Sequence, residues 1–308
     1  MKLKTTVEEV LNREIKGLED LKQNFDFEKF EELVEKIFFL HGKVVVSGIG
    51  KSGYIAKKIT ASLCSIGVPA TFLHASEALH GDLGVISNHD IVMILSNSGE
   101  GSELKQIINY CKEFKICTVG ISRGSSSFLI QNSDIGIFLP NSPEASELDI
   151  PTTSSIMMLV FGDVLTIALK ERRQISHEQY LLYHPGGSIG LKGMKVKDVM
   201  VKDLPIVQYT TPLLDALLVT SNKKLGFSIV VNEQNELLGI IVASEMVDQN
   251  INENSKTQDF ISNDYKIISG NLKISEVMCS IEQSKYLIVL DGKMPAGVLS
   301  NEILKALC

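Results

Sequence analysis

Across residues 1–40, apolar positions recur at intervals of three and four, in VEEVLNREIKGLEDL and FEKFEELVEKIFFL. That period predicts two amphipathic helices, and Gly42 is the expected stop of the second. The pattern then changes. KVVVSGIG, PATFLHA, DIVMILSNSG, ICTVGIS and DIGIFLP are short apolar runs rich in branched residues, each closed by Gly, Ser, Asn, Pro or Ala. None alternates polar with apolar, so each reads as a strand buried on both faces. Helical stretches lie between them: KSGYIAKKITASLCSIG, SELKQIINYCKEF and SSSFLIQNS. Strand and helix in turn predict an α/β domain, a five-stranded parallel sheet between two helical layers. TTSSIMMLVFGDVLTIALKERR follows as one long helix, apolar through most of its length, suited to the core or to an oligomer interface. From Val196 onward a helix, a strand, the turn NEQN, a second strand and a helix are followed by a segment of the same order. LLDALL matches KISEVM, SIVV matches YLIVL and LLGIIV matches PAGVLS, a weak duplication of about fifty residues with an α+β pattern. The stretch around Gly190–Lys195 is the expected linker.

At about 150 residues per domain, 308 residues suggest two domains. With 44% hydrophobic and 22% charged residues, the chain is neither disordered nor coiled coil. A net charge of -7 argues against a nucleic-acid partner, although one pocket of an acidic protein can still be positive. No run reaches the roughly 18 consecutive apolar residues that span a bilayer. The charged N-terminal stretch lacks a signal-peptide core, so no membrane association and a cytoplasmic location are expected. Five cysteines without a CxxC pair fit reduced thiols, not a disulfide or zinc framework. No HExxH or HxH spacing suggests a metal site.

Open parallel sheets bind ligands beyond the carboxyl ends of their strands. The first strand ends in GIGKSG, residues 48–53, which matches G-x-G-x-x-G. The dinucleotide fingerprint also needs an acid about twenty residues on, at the end of the second strand. That strand ends in Leu73-His74, so the NAD reading is weak. A P-loop needs Gly where Val45 stands. What GIGKSG does offer is exposed backbone N–H groups, a helix N-terminus, the charge of Lys51 and the hydroxyl of Ser52. The third strand ends in SNSGEGSE, where Ser96, Asn97, Ser98 and Ser102 surround another helix start. Two such loops at one sheet edge describe a phosphate cradle; the plainer alternative is that these residues cap helices. His74, His80 and Asp82 follow the second strand, Glu144 and Glu147 the fifth, and His184 stands in a rigid HPGG segment.

GIGKSG, HASEALHGDLG, SNSGEGSE, PTTSS, the pair Gly162-Asp163 and HPGGSIG occur in an order that resembles the bacterial arabinose-5-phosphate isomerase family. The resemblance covers the whole chain and implies a sugar isomerase (SIS) domain at 1–193, then two cystathionine-β-synthase (CBS) repeats at 194–252 and 253–308. It implies a homotetramer that interconverts D-ribulose 5-phosphate and D-arabinose 5-phosphate without a cofactor, on the way to Kdo. It places catalysis on Lys51, Glu103, Glu144 and His184, and substrate or phosphate contacts on Gly50, Ser52, His80, Ser96, Asn97, Ser98, Ser102, Thr152 and Thr153. Moving a proton between C1 and C2 needs a base, an acid and stabilisation of an enediolate. Glu103 and His184 are the first choice of acid–base pair, with Glu103 and Glu144 interchangeable. Gly101 departs from the Ser or Thr common in related phosphate loops. The CBS ends, Val242-Ala243-Ser244-Glu245 and Ser300-Asn301-Glu302-Ile303, keep little of the nucleotide-binding pattern, so a structural role is expected there. A sugar-phosphate sensor and an isomerase of another phosphosugar are the alternatives.

Overall fold

The computed structural model describes residues 2–223, 225–246, 249, 251–300 and 303–305. The chain forms two compact units, Met1–Tyr183 and His184–Cys308.

In the first unit, helices α1 (Lys2–Gln23) and α2 (Phe27–Phe38) precede the sheet. α2 closes at Phe38, short of Gly42: after the Phe39 N–H meets the Glu35 carbonyl, the Leu40 N–H turns to Ile37, a tighter bond that ends the α-helical ladder. Strand β1 (Val44–Gly48) leads to α3 (Gly50–Ser65), β2 (Ala70–His74), the short helix α4 (Ala75–Ala78) and β3 (Ile91–Leu95). Then come α5 (Ser102–Glu113), β4 (Cys117–Ser122), α6 (Phe128–Asn132), β5 (Ile135–Phe138) and α7 (Thr153–Arg172). The five strands pair in parallel in the order β2-β1-β3-β4-β5. β1 and β3 are buried along their whole length, the reason their sequences run apolar without alternation. On one face Val44, Val46 and Met93 pack against α1, α2, α3 and α7; on the other Val45, Val92 and Ile94 pack against α4, α5 and α6. These are the three layers that the alternating pattern predicts.

The long apolar helix α7 meets the length and composition of a membrane span, yet half of that window is buried in this unit. It lies against α3, where a Cβ at Gly162 would fall inside the Ile59 side chain, and Lys58 pairs with Asp163 across the same crossing. The pair Gly162-Asp163 is therefore a packing device. Cys64, Cys111, Cys117 and Cys279 are free thiols.

The second unit opens with α9 (Gly187–Gly193), preceded in the first unit by α8 (His177–Leu182). A linker was expected here; instead Leu191 is buried with Val196, Ile274 and Val277, so the segment belongs to the second core. After α10 (Val196–Val199) come β6 (Ile206–Gln208), α11 (Leu213–Lys223), β7 (Phe227–Val231) and β8 (Leu237–Val242). β9 (Lys266–Ile268), α12 (Ile274–Gln283), β10 (Leu287–Asp291) and β11 (Met294–Leu299) repeat them. The duplication extends to backbone detail. Each sheet pairs a short parallel strand with an antiparallel hairpin, and each hairpin shifts register at the matching place, Val230/Val231 and Val289/Leu290. The repeats brace each other reciprocally through the bridges Val201↔Val298 and Ile240↔Ser262. Neighbouring Gly297 and Gly239 leave room for Met200 and Ile261. Phe227 and Tyr286, equivalent in the repeats, stack with ring centroids 4.5 Å apart in a shared core. Asn301 and Glu302 lie outside the described residues, as does Cys308.

Overfilling a helix crossing costs about 1–3 kcal/mol. Gly162→Val should lower the stability of the protein by that amount in urea titrations, and Lys58→Ala, at an exposed pair, by much less.

Candidate active site

The sheet order reverses at β1. The chain goes from β1 to β2 on one side and then crosses to β3 on the other. Such a reversal splays the two following loops and leaves a crevice at the carboxyl ends. Gly48 and Leu95 are register partners, so the loops after β1 and β3 start side by side.

The first loop is a single extended residue, Ile49, followed by Gly50 at φ +57. That left-handed conformation is easy only for glycine and turns the strand directly into α3. Lys51 and Ser52 then occupy its first turn. No side chain caps α3, and Lys51 is exposed and makes no ion pair among the described residues.

The second loop folds on its own serines. Ser96 Oγ accepts from Gly99 N at 3.0 Å and Ser98 Oγ from Glu100 N at 3.4 Å. Gly99, at φ +69, lies where a Cβ would strike Ser127 and Ser122. Its carbonyl accepts from Leu129 N, and the Glu100 carboxylate accepts from Phe128 N, which braces the loop on α6. α5 begins at Ser102 with Gly101 as an uncapped N-cap. The plainer reading of these residues as helix caps fails: Ser96 and Ser98 shape the loop instead, neither N-cap residue caps its helix through a side chain, and in the first turn of α5 the Glu103 N–H meets its own carboxylate. Two uncapped helix N-termini beside an unpaired lysine form a site for an anion.

Glu103 sits half-buried in the first turn of α5. Its own backbone N–H and the Ser102 hydroxyl, 3.0 Å from Oε2, hold its carboxyl below the usual glutamate range. It is therefore an ionised carboxylate at the rim of the cradle.

Glu144 is built differently. It is buried, and burial pushes its carboxyl up, but hydrogen bonds from Ser154 and Thr152 outweigh that and hold it low. Oε2 accepts from Thr152 N at 2.9 Å, Thr152 Oγ1 at 3.1 Å and Ser154 N at 3.2 Å, at the start of α7. Oε1 accepts from Arg123 at 3.3 Å. Arg123 also binds Asn141, and its N–H donates to the Asn97 carbonyl. Glu144 thus ties α7 to the loop after β4, which in turn holds the loop after β3. Arg123 was missed in the sequence because its charge gains meaning only from Glu144, 21 positions away.

Of the other residues singled out, Thr152 spends its hydroxyl on Glu144 and on Ala145 N, and Thr153 is buried with Oγ1 unpartnered, so neither hydroxyl opens on the cradle. His80 is exposed just after α4, and Glu147 is exposed in the loop before α7. His184 is the first residue of the second unit. Among the described residues no group of three His, Cys, Asp or Glu side chains could hold a metal ion.

The SIS domain model matches residues 37–168 and the CBS domain model residues 196–249. The arabinose 5-phosphate isomerase of Yersinia pestis is 36% identical over 97% of this chain and 94% of its own length. The chain belongs to the arabinose 5-phosphate isomerase family. The family enzyme of Pseudomonas aeruginosa is 34% identical over 90% of this chain and 89% of its own. A protein of Escherichia coli CFT073, solved in complex with arabinose 5-phosphate, matches 60% of this chain and 98% of its own with a TM-score of 0.57 and 34% identity. Both loops of the cradle lie within the SIS match.

Because the Glu144 carboxyl is lowered on folding, it stabilises the protein above the unfolded-state carboxylate pKa. That contribution is lost as pH falls through the lower folded value. Glu144→Gln should destabilise the protein by about 1–3 kcal/mol at neutral pH, the cost of stranding buried hydrogen-bonding groups. In thermal unfolding the gap between wild type and variant should narrow as the pH is lowered below the glutamate range.

Proposed function

We propose that the protein is an aldose–ketose isomerase that interconverts D-ribulose 5-phosphate and D-arabinose 5-phosphate through a cis-enediol, as a step toward Kdo. The observation that carries this reading is the pair of helix N-termini without N-cap side chains, with unpaired Lys51 in the first turn of α3, at the carboxyl ends of β1 and β3. It is joined by the family membership of the chain and the sugar-phosphate complex of the E. coli relative.

The backbone N–H groups of the two loops, with Ser52, Ser96, Ser98 and Ser102, hold the phosphate. Starting from the ketose, a base takes a proton from C1 while the C2 carbonyl oxygen gains one, which yields the enediol. A proton then returns to C2 as the C1 hydroxyl loses its own, which leaves the aldehyde. No electrons leave the molecule, so the reaction needs no external oxidant. Glu103 acts as the base and His184 as the acid partner, and Lys51 stabilises the enediolate. What supports Glu103 over Glu144 is occupancy: Glu144 already accepts from Thr152, Ser154 and Arg123, whereas Glu103 has Ser102 and its own N–H. Glu144 is then a positioning residue. His184 joins the isomerase domain under this proposal, so its functional limits are 1–193, with CBS repeats at 194–252 and 253–308.

Glu103→Gln and His184→Ala should each lower kcat by about 10²–10⁴-fold, read by NMR of the product formed from ribulose 5-phosphate. Arabinose, ribose and xylulose 5-phosphates serve as standards. Binding of phosphosugar by well-folded wild type with no turnover would convert the enzyme into a sensor and overturn the proposal.

The protein is further proposed to work as a cytoplasmic homotetramer. Leu3, Val7, Leu11 and Ile15 form an exposed stripe along α1, and Val164 and Ile167 are open on α7. Burying such a stripe is the usual route to a stable self-interface. Light scattering should give a tetramer, and Leu11→Asp with Ile15→Asp should shift it to smaller species.

A further inference from the structure

Seven buried side-chain polar atoms among the described residues have no hydrogen-bond partner: Ser47 Oγ, His74 Nδ1, Asn97 Oδ1, Thr153 Oγ1, Arg173 Nε, Thr257 Oγ1 and Tyr286 OH. Native proteins keep such atoms rare, because each costs free energy that a partner would recover. Their placement is uneven. Ser47, His74 and Asn97 stand at the carboxyl ends of the adjacent strands β1, β2 and β3, the edge that carries the cradle. The three atoms are sealed from solvent, so no ligand meets them directly; they show that polar side chains gather at this edge of the sheet.

Of the three, His74 also lines a cavity. A space of about 140 Å³ lies between the start of α3 and the edge strand β2, lined by Gly50, Gly53, Tyr54, Lys57, Phe72 and His74. Gly50 belongs to the first cradle loop as well, so this space opens directly beside it. Its walls suit a polyol. The rings of Tyr54 and Phe72 offer apolar faces, with the Lys57 ammonium 5.7 and 5.0 Å from their centroids. Lys57 makes no ion pair among the described residues.

The imidazole has a defined orientation. Its ring stands edge-on to Phe72 at 6.2 Å, and Nδ1 is sealed in without a partner while Nε2 is not. We propose that His74 is a substrate-positioning residue whose Nε2, the nitrogen left open, hydrogen-bonds a hydroxyl of the phosphosugar, with Lys57, Tyr54 and Phe72 forming the rest of that sugar subsite. The proposal rests on the isomerase reading above and extends it from the phosphate to the sugar.

The test separates the two. In full-length protein labelled with ¹⁵N-histidine, the His74 Nε2 resonance should move on saturation with arabinose 5-phosphate and stay in place with inorganic phosphate alone. A resonance that does not move, or that moves equally with phosphate, overturns the proposal. Kinetics with ribulose 5-phosphate give a second reading. His74→Phe should lower kcat/KM by about 10- to 100-fold, the effect of one lost hydrogen bond, mostly through KM. His74→Gln, whose amide nitrogen falls near Nε2, should recover most of it, and His74→Asn, which mimics Nδ1, should not. Wild-type kcat/KM in His74→Phe, or recovery by Asn and not by Gln, overturns the role. Absence of turnover in wild type overturns the isomerase reading instead, and the Nε2 resonance still decides His74.

Discussion

The structure depends on one junction, the turn from β1 into α3. Gly48 ends a strand that is buried on every residue, and Gly50 adopts the left-handed conformation that sends the chain straight into a helix. The helix N-terminus is thereby aimed at the crevice where the strand order reverses. Lengthening the turn would move Lys51 and the open N–H groups away from the loop after β3, whose start is held level by the pairing of Gly48 with Leu95. On its far side α3 lies against α7, an approach that only glycine at position 162 permits. The anion cradle and the close crossing with α7 therefore belong to the same helix, at its start and its middle.

A second constraint keeps the other wall in place. Buried Glu144 collects donors from Thr152, Ser154 and Arg123, and Arg123 passes the restraint to Asn97 through its backbone. A buried carboxylate is tolerated only because it is so fully hydrogen-bonded. That saturation leaves the carboxylate few free lone pairs. Glu103, at a helix start, meets only the Ser102 hydroxyl and its own N–H, which hold it ionised. Two glutamates that look equivalent in sequence thus differ in how many partners the fold gives them.

Much of the fold was legible without coordinates. All five strands fall within their apolar runs; β1 and β3 are buried on both faces as those runs imply, whereas β2, at the sheet edge, buries only Leu73. The duplication, faint as letters, reappears as matching register shifts and reciprocal bridges between the repeats. The errors were local. Residues around Gly190 read as a linker because they are rich in glycine, yet Leu191 anchors them in the second core. The serines of SNSGEGSE read equally as caps or as phosphate ligands, since composition does not say which N–H a hydroxyl meets.

By itself the sequence determined the strand and helix order, the two cradle loops and the chemical types gathered there, because buried strands and tight glycine turns restrict what residues can stand in them. Only the tertiary structure decided which of these groups were already committed. Arg123 and Glu144 meet across 21 positions, Lys51 remains unpaired, and His74 keeps one nitrogen sealed and unused. Those distinctions arise from hydrogen bonds between segments that the fold brings together, and a linear string carries no record of an unmet partner.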